Sequence, residues 1–245
     1  ADIDRAVEAA RNADVAIVAV GGSSARDFKT SYEKTGAASA TDALSDMDCG
    51  EGFDRSTLGL LGKQEELLRR VIATGTPTVV VYIAGRPLDM QTAAEGSGAL
   101  LAAFYPGAEG GRALADIIFG DCNPSGRLPV TIPRSVGQLP IYYQQGERRD
   151  YIDGPGSPLY PFGYGLSYTT FEYSDLQILP PETEGELQRV ECRVTNTGSR
   201  EGAEVVELYV TDKSASVSQP PVALRDFRKV TLKPGESRVV SFPIT

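Results

Sequence analysis

The residues best suited to chemistry lie in one acidic, glycine-flanked stretch, Asp48-Cys49-Gly50-Glu51-Gly52-Phe53-Asp54-Arg55. Glu51 is the candidate acid, because a glycine on either side keeps bulk away from its carboxyl and permits backbone angles that bring it against a ligand. The same spacing also fits a solvated acidic turn, so the choice depends on the rest of the chain. Histidine is absent from the sequence. That removes Ser-His-Asp and Cys-His catalysis and the usual zinc sites together. Cys49, Cys122 and Cys192 stand far apart without metal-ligand spacing, so free thiols, or at most one bridge, are expected. Acid–base work then falls to carboxylates, tyrosine or lysine, with no metal and no cofactor expected.

The elements that must position Glu51 read as alternating helices and strands. Ile3, Val7 and Ala10 recur at helical spacing, and the almost wholly apolar run Asp14–Val20 follows as a strand expected to be buried on both faces. Gly21-Gly22-Ser23 ends it; without a Gly-Lys-Ser ending or a Gly-x-Gly-x-x-Gly pattern this is an ordinary strand-ending turn, and nucleotide binding is not expected. A polar loop from Ser24 to Asp48 then leads directly to Glu51, and a loop of that length in a compact domain borders a site when it is not disordered. Further on, the spacing predicts a helix over 56–74, a strand over 78–83, a helix over 87–95, a strand over 99–104, a helix over 109–119 and a short edge strand over 128–132. Such alternation implies an α/β sandwich whose mostly parallel sheet is flanked by helices and meets ligands at the carboxyl ends of its strands.

Residues 134–170 are rich in Pro, Tyr and Gly and read as an ordered, extended connector. Beyond Phe171 the runs at 191–195, 205–210, 227–232 and 238–244 are β-rich, the first and the last two of them alternating, and Pro234-Gly235 turns the chain between the last two. About five strands are expected where a complete fibronectin-like sandwich has about seven, so the module reads as stopping short, with further residues expected beyond Thr245. The expected domains are 1–146, a connector over 147–170, and 171–245. The chain of 245 residues is 41% hydrophobic and 23% charged, with 24 basic against 33 acidic residues and a net charge of -9. That balance suits a soluble globular protein and argues against nucleic acid or an anionic membrane as partner. No apolar stretch approaches the roughly eighteen residues of a membrane-spanning helix.

Several of these motifs, in this order, resemble the C-terminal half of glycoside hydrolase family 3, the β-glucosidase and β-xylosidase family. The likeness rests on Gly50-Glu51-Gly52-Phe53-Asp54-Arg55 followed by Gln64, on Asn123-Pro124-Ser125-Gly126-Arg127-Leu128-Pro129, and on the run from Pro158 to Phe171 that contains Tyr160-Pro161-Phe162-Gly163-Tyr164-Gly165-Leu166-Ser167-Tyr168. Asn196-Thr197-Gly198 and Lys233-Pro234-Gly235-Glu236 similarly resemble turns of a fibronectin type III-like domain.

The resemblance implies that Glu51 is the acid/base of a retaining β-glycosidase, most readily a β-glucosidase acting on terminal β-glucosyl residues, with β-xylosides as the alternative substrate. It further implies that the aspartate nucleophile and most sugar-binding groups belong to a barrel domain, so that this chain alone is inactive. The implied partners are a β-linked glucoside or oligosaccharide, that barrel and a possible second copy of the chain; the sequence does not fix the location, a periplasmic or secreted one being favoured over a cytoplasmic one. Asp54 and Arg55 are expected to fix the loop through an ion pair or helix-start contacts. Arg26, Phe28 and Tyr32 could line an outer sugar subsite, the other reading being solvent-facing loop residues. Two alternatives for the whole chain are a non-catalytic carbohydrate-binding or interaction module and a flavodoxin-like binding protein.

Overall fold

Twelve regular elements, taken from a computed structural model that describes residues 2–24, 31–36, 47–50, 53–146 and 148–245, follow the expected alternation and then the expected change to β-structure. The first of two compact units comprises the chain up to Gly110 together with Ile132–Pro140. It contains α1 (Ile3–Arg11), β1 (Ala16–Gly21), α2 (Gln64–Ile72), β2 (Thr78–Ile83), α3 (Gln91–Gly96) and β3 (Ala99–Ala102). The Asp2 carboxylate accepts from the Arg5 amide at 3.1 Å and so caps α1, which buries Ile3, Val7 and Ala10. β1, β2 and β3 pair in parallel in that order, with Val18 opposite Val80 and Val81 opposite Leu101. Val80, Val81, Tyr82, Leu68, Leu88 and Ala93 fill the core.

Four details differ from the sequence reading. β1 buries alternate residues only, leaving Ile17 half-exposed, because among the described residues only one of its two faces is packed over. The helix expected from Ser56 begins only at Gln64: Gly62 has a φ of 64°, and the carbonyls of Leu58 and Gly59 are taken by the Asp89 amide and the Arg55 guanidinium. The helix expected from Pro87 begins at Gln91, whose amide donates to Asp89 Oδ1 at 3.0 Å. Residues 128–132 form no strand; Leu128 instead exchanges backbone hydrogen bonds with Tyr164 and Gly163 at 2.9 and 2.8 Å.

The second unit comprises Gly111–Thr131 and Ile141–Thr245. It holds most of α4 (Gly110–Ile118) and five strands, β4 (Phe171–Leu179), β5 (Gln188–Asn196), β6 (Gly202–Val210), β7 (Ala223–Leu232) and β8 (Ser237–Ile244). β4, β5 and β8 make one antiparallel sheet and β6 and β7 another, enclosing Val194, Val206, Val230, Leu232, Val240 and Phe242 in the manner of a fibronectin type III-like sandwich. The two sequence motifs are tied together by side chains. Asn123 Nδ2 donates to Glu201 O at 3.0 Å, while its Oδ1 accepts from the Ser167 hydroxyl and the Tyr168 amide at 3.0 and 2.8 Å. Arg127 donates to Gly165 O and to Glu204, whose other oxygen takes the Tyr173 hydroxyl at 2.7 Å. The buried amide of Asn196 makes four bonds, to Thr169, Gly198, Arg200 and Leu232, so no polar atom of it is stranded in the core.

Candidate active site

The described ends of the loop that carries the candidate acid are fixed at the carboxyl end of β1. Gly21 closes the pairing with β2 at Ile83, and a Cβ there would stand 1.9 Å from Ile83 O, so only glycine lets the two backbones meet. The side chain of Gln64, the first residue of α2, completes this edge: its Oε1 accepts from the Gly21 amide at 2.8 Å and its Nε2 donates to Gly21 O at 2.9 Å. The chain later returns alongside, with Met47 bridged in parallel to Ser23 and the Asp48 amide donating to Ser23 O at 2.9 Å. Met47, Asp48 and Cys49 are thereby buried.

Two clamps hold the loop from either side. Asp48 Oδ2 and Arg55 Nη1 are 3.0 Å apart with side chains only 2% and 10% exposed, and Arg55 donates again to Gly59 O. This ion pair joins the last residue before Cys49 to the first after Asp54, so it closes the whole stretch on itself. The Phe53 amide donates to Gly50 O at 3.2 Å, with Gly50 at a φ of 111°, and Arg86 donates to Phe53 O at 2.9 Å. On the other flank the Cys49 thiol meets the Tyr105 hydroxyl at 2.9 Å. Desolvation and that contact hold the Tyr105 phenol above its ordinary pKa.

Asp48 Oδ1 is buried without a hydrogen-bond partner among the described residues, a state that costs about 1–3 kcal/mol. Its carboxylate packs on the bare Cα of Gly22, where a Cβ would fall 2.0 Å from both oxygens, and it borders a cleft of about 350 Å³ shared with Gly21, Ser23 and Gln64. Burial raises the phenol pKa of nearby Tyr82, with smaller contributions from Glu65 and Asp89.

Glu51, Arg26 and Phe28 lie outside the described residues. Tyr32 is 59% exposed. Asp54 is exposed and makes no ion pair among the described residues, so the expected loop-fixing pair exists but joins Arg55 to Asp48. No helix starts at Ser56 for Arg55 to contact. Sequence reasoning missed the roles of Asp48, Gly22 and Arg86. The signal for Asp48 was present in its place within the acidic motif, but the sequence could not tell it from Asp54 as the partner of Arg55.

Residues 1–168 match the glycosyl hydrolase family 3 C-terminal domain, and residues 204–245 match the fibronectin type III-like domain. A periplasmic β-glucosidase of Salmonella typhimurium is 41% identical over 99% of this chain, and a β-xylosidase of Formosa agariphila is 41% identical over 98%. The chain covers 31% of each of those two proteins, about a third of their length. Among solved structures, a β-glucosidase of Erythrobacter marinus superposes with a TM-score of 0.83 at 44% identity, over 99% of this chain and 31% of that one. The β-glucosidase of Listeria innocua in complex with glucose gives 0.82 at 34% identity, over 100% and 33%. Motif, topology and these likenesses agree, and the chain belongs to glycoside hydrolase family 3.

Proposed function

We propose that this chain supplies the general acid/base of a retaining, exo-acting β-glucosidase, with Glu51 as that residue and the aspartate nucleophile on a barrel domain outside the sequence given. The observation that carries the reading is the Asp48–Arg55 ion pair, which clamps the glycine-flanked motif at the carboxyl end of β1. A retaining enzyme needs two carboxyls roughly 5–5.5 Å apart, one attacking the anomeric carbon and one protonating the departing oxygen. In the first step Glu51 gives its proton to the glycosidic oxygen as the nucleophile attacks, and in the second it takes a proton from the water that frees the sugar. Glu51 stays protonated before the first step through desolvation in the closed cleft and through the negative charge of the nucleophile.

The glucoside assignment follows the β-glucosidases among the relatives, and a β-xylosidase of equal identity makes xylosides the second substrate class. A periplasmic or secreted location is supported by the Salmonella relative. In the protein that joins this chain to its barrel, Glu51→Gln is expected to lower kcat on a disaccharide by at least roughly 10²-fold, with the melting temperature unchanged. An aryl glycoside with a good leaving group, which needs little protonation, is expected to lose less. Equal and trivial losses on both substrates would remove Glu51 from the role. Comparing kcat/KM for aryl glucoside and aryl xyloside decides the sugar.

A further inference from the structure

The connector, which the acid/base chemistry does not use, forms a second cleft with β6, of about 880 Å³, wholly inside the second unit. Its wall is aromatic. Tyr143 stacks on Phe162 with ring centroids 4.5 Å apart and meets the edge of Tyr209 at 6.2 Å. Tyr142 and Tyr164, 63% and 38% exposed, present further aromatic surface to solvent. Polar groups are fixed beside these rings. Glu207 Oε2 accepts from the Tyr209 hydroxyl at 2.8 Å, while its Oε1 makes no bond among the described residues. Gly163 packs closely against that carboxylate, where a Cβ would lie 2.6 Å from Oε2, and Glu207 lines the cleft.

Flat rings next to an immobilised carboxylate are the complement of a sugar ring: the C–H face of a pyranose lies on the aromatic surface and its hydroxyls donate to the carboxylate. The volume falls within the roughly 300–1,000 Å³ of small-ligand sites, and the carboxylate would be poorly accommodated under a purely apolar partner. We infer that this cleft is a second, non-catalytic saccharide site that holds two or three β-linked pyranose units. It is separate from Glu51 and is tested separately.

The test is saturation-transfer NMR on the 245-residue protein with cellotriose and xylotriose at millimolar concentration, saturating the protein's aromatic protons; the absence of tryptophan leaves only tyrosine and phenylalanine as the source. Transfer to the sugar C–H protons is expected for at least one trisaccharide. Tyr142→Ala, at a half-exposed position where folding is not at stake, and Glu207→Gln are each expected to weaken binding by at least roughly fivefold, with Tyr142→Phe restoring it. Glu51→Gln is expected to leave it unchanged, so the fate of this cleft and that of the acid/base assignment are read independently. Absence of transfer to either sugar from the folded protein overturns the inference. So does transfer that survives the Tyr142→Ala, Glu207→Gln double variant.

Discussion

At the scale of single residues, the acid-bearing loop depends on a buried charge pair that tolerates loss of both members better than loss of one. Removing either Asp48 or Arg55 leaves an uncompensated charge in a site 2% or 10% exposed, and such losses cost about 3–5 kcal/mol. Arg55→Met alone is therefore expected to lower unfolding stability in urea by about 3 kcal/mol, and the Asp48→Ala, Arg55→Met double variant by clearly less than the sum of the singles. Gly22→Ala acts through the same carboxylate, because its new Cβ collides with Asp48 alone among the nearest atoms. In an Asp48→Ala background its cost is expected to fall to within about 0.5 kcal/mol of zero, and an undiminished cost would mean that the Gly22 backbone itself is the constraint. A second charged residue sets an acid limit. Glu186 takes hydrogen bonds from the Thr183 hydroxyl, the Glu182 amide and Arg189, which bring its pKa down to about 2 from an ordinary 4.5. A carboxylate depressed in the folded state contributes stability that is complete above its ordinary pKa and is lost as pH falls through the folded one. Glu186→Gln should therefore melt lower than the parent at pH 7, with the gap closing between about 4.5 and about 2. A gap independent of pH over that interval would rule out the charged form as the cause.

At the scale of elements, the edge of β1 is finished by a side chain. The Gln64 amide offers Gly21 one donor and one acceptor, as a neighbouring strand would, so α2 and β1 are joined at the point where the acid-bearing loop departs. Gln64→Ala is expected to cost about 2 kcal/mol, and Gln64→Glu to be no better, since a carboxylate cannot donate to Gly21 O. Hydrogen exchange at the Gly21 amide reads the effect directly, and protection unchanged in Gln64→Ala would show that the strand end holds itself. The glutamine was visible in the sequence as part of a motif, yet its role was not, because a hydrogen bond across 43 positions leaves no local pattern. What was legible were the elements whose own periodicity decides them: α1, β1, β2, β3 and α4, and the later strands. Leu58 and Leu61 continued the helical spacing backward from α2, but Gly59 and Gly62 end the helix, so the apolar period extended it too far. The 128–132 run looked like a strand because it is apolar, while the backbone of Leu128 bonds to the connector. At the candidate site, Arg55 was legible as a clamp from its charge and place, and its partner was not, since choosing between Asp48 and Asp54 needs the path of the loop.

At the scale of the whole chain, neither compact unit is one continuous segment. Residues 111–131 group with the C-terminal strands and 132–140 return to the first unit, where Ile132 and Gln138 are almost wholly buried. A single cut therefore divides one unit or both. The boundary expected from composition, after residue 146, separates Asn123 from Ser167, Tyr168 and Glu201, and Arg127 from Glu204 and Gly165. It also strips the Leu128 amide of its acceptor, Tyr164 O at 2.9 Å. In a fragment of residues 1–146 the Leu128 amide is expected to exchange with solvent at close to the unfolded rate, while Val80 and Val81 in the central strand keep their protection. Adding a fragment of residues 147–245 should slow Leu128 exchange again if the two pieces reassemble through those side chains, and Asn123→Ala in the first fragment should weaken the recovery. Full protection of Leu128 in the isolated 1–146 fragment would contradict this, and would place an autonomous seam at residue 146. Loss of protection throughout the fragment, β2 included, would mean that the parallel sheet itself needs the later residues in order to fold.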